Sequence, residues 1–200
     1  MPAGLTVLSE HNTIQIDDRY ETWGLSRKYT VAVGETWQGS RTAISAIRGT
    51  IENTSVNYGP VGQEHGFDVY EFEKGAGSSD RSGLEVFDAN GSTIFHSNGK
   101  PLRVVDFIRQ STANISSPDI MRIEKTYGGV GKIGVVVCRY VPIYIPTGYN
   151  SMANVIIPSF LINRNYLEIA YQQKLSNLSR DDAQFIDTYF DYMIVDLTNY

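Results

Sequence analysis

Apolar and polar residues alternate with a period of two along much of the chain. Leu84, Val86 and Ile94 are each flanked by polar neighbours, and similar runs recur between clusters of Gly, Asn, Asp and Ser. Such runs are typical of half-buried strands joined by turns. They predict an all-β protein built as antiparallel β-sandwich or meander modules. The predicted strands are Leu5–Leu8, Thr13–Asp17, Tyr29–Val33, Thr42–Ile51, Phe67–Phe72, Leu84–Phe87, Thr93–His96, Leu102–Ile108, Ile120–Glu124, Ile133–Tyr140, Ala153–Ile157, Tyr166–Tyr171 and Tyr192–Leu197.

Two segments depart from this alternation. Ile133–Cys138 is apolar on both faces, which predicts a strand in the centre of a sheet. The best helical signal covers Arg180–Asp187, where Ser179 is placed as an N-cap and Asp181 and Asp182 suit the positive end of a helix dipole. We therefore expect at most one short helix, near residues 180–187.

One hairpin pattern occurs twice. The first copy begins at Gly4 and returns at Thr13, and the second begins at Gly83 and returns at Thr93. The two starts are 79 residues apart and the two returns are 80 apart, which indicates a loop one residue longer in the second copy. That loop contains Asn90-Gly91, a pair favoured where both turn residues take a positive φ. Duplication and reuse of a common hairpin both explain the repeat.

The most linker-like stretch of the chain is Gly75–Asp80. It predicts an N-terminal β module over residues 1–78 and a C-terminal β module over residues 79–200. The second module contains an extended aromatic arm at about residues 140–150 and an apolar C-terminal strand. That last strand either joins its own sheet or adds to the edge of a partner's sheet.

The aromatic arm alternates proline with apolar residues. Pro142 and Pro146 have no N–H to donate, so the arm is extended but cannot be an inner strand throughout. It either clasps a neighbouring subunit or closes the chain's own core as an edge segment. Tyrosine is favoured at protein interfaces because it adds contact area with a polar tip. The candidate interface residues are Tyr140, Tyr144, Tyr149, Tyr192 and Tyr200.

Composition and charge narrow the functional classes. The net charge is −5 and the pI is about 5.2, so the basic footprint of a nucleic-acid-binding protein is absent. The longest apolar run, Gly134–Cys138, is far too short for a membrane helix, and we expect no membrane insertion. No signal peptide is readable near Met1, which predicts synthesis in the cytoplasm as a soluble protein.

Residue types that do chemistry are scattered. His11, His65 and His96 stand singly beside turn residues, which predicts exposed side chains and no metal site. Cys138 lies in an apolar strand, which predicts a buried and inert thiol. No group of residues has the spacing of a catalytic site, so we expect neither an enzyme nor a cofactor.

A glycine-rich segment, Gly128–Lys132, ends in lysine but is followed by Ile133 instead of Ser or Thr. A phosphate-binding loop needs that hydroxyl and a helix after it, and a strand is predicted here. The segment is therefore interpreted as a hairpin loop between Ile120–Lys125 and Ile133–Tyr140.

The second hairpin resembles a known group of proteins. Residues 83–97 read Gly-Leu-Glu-Val-Phe-Asp-Ala-Asn-Gly-Ser-Thr-Ile-Phe-His-Ser, and the apolar, arginine-containing strand Leu102–Val105 follows. This combination resembles a recurrent opening in small tail-associated proteins of tailed bacteriophages, from the tail-tip and tail-fibre region. The motif opens the chain in those proteins, whereas the better copy is internal here, and His96-Ser97 replaces the usual Asp-Ser.

The resemblance implies a structural, non-enzymatic component of the virion. Such a protein acts by oligomeric assembly at the tail tip or at the fibre attachment, with other tail proteins and copies of itself as partners. The alternative is a tail module that binds a host receptor or a carbohydrate. In that case Trp23, Trp37 and Tyr58 are candidates for stacking on sugar rings.

Overall fold

The computed structural model describes residues 7–8, 14–16, 22–35, 37, 39–40, 42–52, 55–57, 65–75, 82–88, 90–111, 122–139, 143–146, 153–176 and 189–200. The described residues contain strands and no helix, and every ladder is antiparallel, so the all-β prediction is confirmed. The helix predicted near residues 180–187 lies outside the described residues. The strands are β1 (Val7–Leu8), β2 (Ile14–Ile16), β3 (Trp23–Val31), β4 (Ile44–Gly49), β5 (Ser55–Asn57), β6 (Phe67–Lys74), β7 (Glu85–Phe87), β8 (Thr93–His96), β9 (Val104–Ser111), β10 (Arg122–Thr126), β11 (Ile133–Arg139), β12 (Ile143–Pro146), β13 (Ala153–Asn163), β14 (Tyr166–Ser176) and β15 (Tyr189–Asp196).

The larger sheet has six strands in the order β3-β6-β4-β11-β15-β9. The predicted N-terminal module supplies the first three strands and the predicted C-terminal module supplies the other three, so both parts of the chain share one sheet. Strand β11 is central, and Ile133, Gly134, Val135 and Val136 are buried, as predicted for a strand apolar on both faces. The C-terminal strand β15 lies inside this sheet, between β11 and β9.

The second sheet has five strands. Its order is β10-β14-β13-β12, and β5 also pairs with β13. The aromatic arm provides β12, which pairs along Ala153–Ile156 and stands at the edge of the sheet. Pro146 is the last residue of that edge strand, a position where proline is tolerated. Pro158 falls between the part of β13 that pairs with β12 and the part that pairs with β5.

The two sheets pack face to face around the main hydrophobic core. Phe160 from the five-stranded sheet meets Tyr192 from the six-stranded sheet edge to face, with ring centroids 5.4 Å apart. Burial of this apolar surface is the main favourable contribution to folding. The fully or nearly fully buried members of the core are Val31, Ile47, Val56, Phe67, Val69, Ile108, Ile133, Val135, Phe160, Ile162, Leu167, Ile169, Tyr171, Phe190, Tyr192 and Ile194.

The six-stranded sheet also closes on itself at one end. Gly24 in β3 forms an antiparallel bridge with Pro101, just before β9. The Leu102 amide donates to the Trp23 carbonyl at 2.7 Å, and the Leu25 amide donates to the Lys100 carbonyl at 2.8 Å. The two ends of the strand order therefore meet, and the enclosed face holds a second core. Its members are Trp23, Leu25, Ile44, Ala46, Tyr70, Phe72, Leu102, Val136, Met193, Val195, Leu197 and Tyr200.

The two halves of the six-stranded sheet follow one plan. In each half a short hairpin leads into an edge strand, the edge strand pairs with the last strand of the half, and that strand pairs with the middle one. The halves are thus β3-β6-β4 and β9-β15-β11, joined through the antiparallel pair Ile47–Val135. The order reads the same from both ends, which is an approximate two-fold relation.

Registers and bulges obey the same relation. Ser26 is the extra residue of a bulge in β3, and Val105 is the extra residue of a bulge in β9. The numbers 26 and 105 differ by 79, the spacing of the two hairpin starts. Tyr29 and Ile108, also 79 apart, both pack on the main core. The repeat found in the sequence therefore extends beyond the hairpins into the sheet.

The hairpins themselves correct one detail of the sequence alignment. Val7 pairs with Ile16 in the first, and Val86 pairs with Phe95 in the second. Both partners are 79 residues apart, so the loop of the second copy is not one residue longer. Matching the two Thr-Ile pairs shifted the returning strand by one residue, because sequence similarity does not report ladder register.

The turn of the second hairpin also differs from the predicted one. Gly91 has a φ of +83°, but Asn90 does not take a positive φ. The Asp88 carboxylate accepts hydrogen bonds from the amides of Asn90 and Ser92, each at 2.8 Å, and fixes the loop from one side. An aspartate at the start of the turn therefore replaces the second positive φ.

The hairpin predicted around the glycine-rich segment is wrong. Strand β10 pairs with β14, and strand β11 pairs with β4 and β15, so the two lie in different sheets. Residues 127–132 connect the sheets, and the amide of Tyr127 donates to the carbonyl of Asn165 at 3.0 Å. Sequence proximity favoured a local pairing, whereas the buried faces of both strands are matched by distant partners.

Candidate functional site

The five tyrosines proposed for an interface do not form one site. Tyr140 and Tyr149 lie outside the described residues. Tyr144 lies in β12, opposite Val155 of β13. Tyr192 and Tyr200 belong to different cores, the first between the two sheets and the second inside the closed end of the six-stranded sheet.

Tyr192 is fully buried and has no surface to offer a partner. Its hydroxyl is 3.1 Å from the hydroxyl of Tyr171, which comes from the facing sheet. Burial raises the pKa of Tyr171 to about 12, and the hydrogen bond with Tyr192 opposes part of that rise. The pair therefore satisfies two buried hydroxyls within the chain's own core.

Tyr200 holds the closing segment of the six-stranded sheet. Its ring meets Phe72 edge to face with centroids 5.8 Å apart, and its hydroxyl donates to the Pro101 carbonyl. The Lys100 ammonium lies 5.9 Å from the ring centroid. Burial raises the pKa of the Tyr200 hydroxyl. The last residue of the chain thus packs against the segment that closes the sheet.

An apolar row lies on the edge strand β9. Val104 is 54% exposed, Val105 is 38% exposed and Phe107 is 53% exposed. Edge strands present unpaired backbone groups, and proteins usually protect them with charged or polar residues. This edge instead presents adjacent apolar side chains.

The matching edge strand β3 is polar at the same positions. Ser26 corresponds to Val105, and Lys28 corresponds to Phe107, since each pair differs by 79. Ser26 and Lys28 are exposed, and the Lys28 ammonium lies 3.4 Å from a carboxylate oxygen of Asp68. The fold is therefore satisfied by polar residues at these positions, so packing does not explain the apolar row on β9.

A cavity of about 290 Å³ opens where the central strands β4 and β11 separate. The ladder between these strands consists of the single pair Ile47–Val135. The cavity begins beside that pair. Its lining residues are Trp37, Gly39, Ser40, Ala43, Ile44, Ser45, Ile47, Val136, Val137, Cys138 and Met193.

Two polar groups stand in this apolar lining. The Oγ of Ser45 is buried and, within the described part of the chain, has no hydrogen-bond partner. Cys138 is exposed, and partial burial of its thiol raises the pKa above the ordinary value. The predicted buried position of Cys138 is wrong, because burial of β11 ends where β4 diverges from it. A raised pKa disfavours the thiolate and therefore nucleophilic chemistry.

Glu71 is a carboxylate buried beside the main core. It accepts hydrogen bonds from Arg27 Nε at 2.5 Å and from the Tyr29 hydroxyl at 2.8 Å, and Trp37 Nε1 donates to the same hydroxyl at 2.8 Å. Burial raises the pKa of Glu71, but the hydrogen bonds from Arg27 and Tyr29 outweigh it and leave the pKa below the ordinary value. These contacts hold the Trp37 side of the cavity in place.

Asp191 is a second buried carboxylate. Arg109 donates to it through Nε at 2.8 Å and Nη2 at 3.2 Å, and Arg139 Nε lies 3.5 Å away. The hydrogen bond from Arg109 is the main cause that lowers the Asp191 pKa. Paired in this way, the carboxylate remains ionised and structural, unlike a general acid, whose pKa is raised.

The histidines do not converge. His65 is exposed, as predicted, and His11 lies outside the described residues. The exposed position predicted for His96 is wrong, because it alternates with Ile94 on the buried face of β8. Its Nδ1 accepts a hydrogen bond from the Asn98 amide at 3.1 Å. Among the described residues no group of three or more His, Cys, Asp or Glu is placed to bind a metal ion.

Lys132, at the end of the glycine-rich segment, points toward the enclosed core. Its ammonium donates to the Tyr70 hydroxyl at 2.5 Å and lies 4.9 Å from the Tyr70 ring centroid. The lysine is thus held by an aromatic side chain of the chain itself. Within the described ranges, no helix has the length and apolar character needed to cross a membrane.

Comparisons with known proteins add no relative. A scan against protein-family models, a search of curated proteins and a search of solved structures each found no match. The cavity and the β9 edge were both missed in the sequence reading. The β9 edge had a readable signal, because aligning the repeats at a constant spacing of 79 sets Phe107 against Lys28.

Proposed function

We propose that the protein is a structural component of a bacteriophage tail, at the tail tip or the fibre attachment, and that it acts by oligomeric assembly. Its partners are other tail proteins and further copies of the same chain. The resemblance of residues 83–105 to tail-associated proteins supports this assignment, and those residues form β7, β8 and the start of β9.

The observation that supports assembly most directly is the apolar row on β9. Val104, Val105 and Phe107 are exposed on an edge strand, next to backbone groups able to pair with another chain. An exposed apolar edge favours aggregation unless a partner covers it. Burial of this row in an assembly accounts for side chains that the chain's own packing does not use.

The alternative, a receptor-binding or carbohydrate-binding module, needs exposed aromatic rings. Trp37 packs edge to face on Phe67 at 5.7 Å, and Trp23 packs on the enclosed core. Both tryptophans are half-buried, and Tyr58 lies outside the described residues. These positions favour a packing role for the two tryptophans, so assembly is the function we put forward.

Purification of phage particles from cells that express the gene tests the proposal. We expect the protein to co-purify with intact tails through a density gradient at a fixed ratio to the tail tube protein, and to be labelled by antibody at one end of the tail. Presence in the lysate together with absence from intact particles would refute it.

A further inference from the structure

The cavity between β4 and β11 lies at a position where the two-fold relation calls for a ladder pair. In an antiparallel register that contains Ile47–Val135, the next pair on the same face is Ser45–Val137. The relation between the two halves exchanges these two pairs, yet the ladder contains only the first. Ser45 and Val137 instead line opposite walls of the cavity.

We propose that this cavity is a binding site for the aromatic side chain of an extended peptide segment from a partner protein. The site does not depend on membership of a phage tail. The occupant is defined by three properties of the cavity: its size, its single unsatisfied hydroxyl and the strand edges that form its walls.

Size limits the occupant to one side chain. Pockets for drug-sized ligands span roughly 300–1,000 Å³, and this one, at about 290 Å³, is at the lower end. Ile44, Ile47, Val136, Val137 and Met193 make the walls apolar. An aromatic ring is a flat apolar group of suitable size, and Trp37 offers it a ring face or edge to pack on.

The unsatisfied hydroxyl selects a ring with a polar tip. A buried hydroxyl without a partner is costly, and a ligand that supplies a donor or an acceptor removes that cost. The Oγ of Ser45 can donate to a phenol oxygen or accept from an indole N–H. Tyrosine and tryptophan therefore fit better than phenylalanine.

The strand edges select a peptide over a free small molecule. Strands β4 and β11 run alongside the cavity beyond their single shared pair, and an extended backbone pairs with strand edges of this kind. A peptide places its side chain in the cavity and its backbone against the edges. A free phenol uses only the first of these contacts.

Titration with N-acetyl-L-tyrosinamide, followed by nuclear magnetic resonance, tests the site. The chain has two tryptophans, and only Trp37 lines the cavity, so Trp23 is an internal reference. We expect saturable shifts of the Trp37 indole N–H signal and none at Trp23. Shifts at both tryptophans, or no saturation at millimolar concentration, would overturn the proposal.

Probe chemistry separates the contributions. We expect p-cresol, which has the ring but no backbone, to bind about tenfold more weakly than N-acetyl-L-tyrosinamide. The Ser45→Ala variant is expected to weaken binding of the tyrosine probe and to leave N-acetyl-L-phenylalaninamide unchanged. Equal binding of p-cresol and the tyrosine probe would rule out the peptide and reduce the cavity to a small-molecule site.

Blocking variants give the specificity control. Ala43→Phe fills the cavity from β4 and should reduce affinity by about tenfold or more, whereas Thr42→Phe changes an exposed neighbour outside the lining and should not. If Ala43→Phe fails to fold, alkylation of Cys138, the single cysteine of the chain, blocks the rim of the folded protein. Unchanged affinity after blocking would contradict the site without affecting the tail assignment.

Discussion

Val105 in β9 occupies the position that Ser26 occupies in β3, since each is the extra residue of a bulge and the two are 79 residues apart. Two halves of one sheet thus share their hairpins, bulges and strand order. They differ at the exposed edge, where one half is polar and the other is apolar. The difference identifies the β9 edge as a surface that the shared plan does not require.

Replacing the apolar edge by its polar counterpart tests its role in assembly. In a Val105→Ser, Phe107→Lys double variant we expect the dissociation constant of the oligomer to rise by about tenfold, because the buried apolar contact is lost. Light scattering over a range of concentrations measures it. Leu84→Lys, a similar change at an exposed residue of the other hairpin strand, is the control. Unchanged association in the double variant would exclude the β9 edge as an interface.

The hydroxyl pair of Tyr171 and Tyr192 is expected to contribute to stability and not to assembly. Tyr192→Phe should lower the free energy of unfolding by about 1–2 kcal/mol, because it leaves the buried Tyr171 hydroxyl without its partner. The double variant with Tyr171→Phe should lose less than the sum of the two single variants. Urea denaturation measures all three. Additive losses would show that the two hydroxyls are not coupled.

Gly83 is expected to tolerate no side chain. Its φ is +113°, and a Cβ there would collide with the Ser97 hydroxyl, which accepts the Leu84 amide at 2.9 Å. Gly83→Ala should therefore destabilise the protein by about 1–3 kcal/mol. Gly128→Ala is the matched control, because a Cβ at Gly128 meets nothing within 4 Å. Thermal denaturation compares the two, and equal midpoints would contradict the strained geometry.

Asp191 gives stability a defined dependence on pH. Its pKa is lower in the folded protein than in the unfolded chain, chiefly through the hydrogen bond from Arg109. Its contribution is therefore complete above the unfolded pKa, about 3.9, and is lost as the pH falls through that value toward the folded pKa. Urea midpoints measured between about pH 6 and pH 3 should fall less steeply in Asp191→Asn than in the parent protein. Glu124→Gln, in an exposed pair with Arg122, should keep the parent slope.

The sequence pattern located strands better than their ends or partners. The strand predicted at Tyr29–Val33 begins at Trp23, six residues earlier, because the bulge at Ser26 interrupts the alternation there. Strand β5 was missed because three residues do not establish a period. The membership of β10 and β11 in different sheets could not be read from their sequences, since each is compatible with any partner that presents an apolar face.

The candidate site was harder to predict than the fold. Tyrosine content drew attention to Tyr192, but its burial depends on the facing sheet and in particular on Tyr171. The cavity exists because β4 and β11 pair only once, and the residues of its two walls lie about 90 positions apart in the chain. Neither composition nor spacing reports such a contact.

The sequence by itself determined the class of structure and the repeat of its hairpin. A period of two needs only neighbouring residues, because successive side chains of a strand point to opposite faces. Tertiary structure alone decided which strands pair, which tyrosines are buried and where the central ladder opens. Those outcomes depend on matching apolar faces that are distant along the chain, and the free energy of that match belongs to the assembled sheets and not to any one segment.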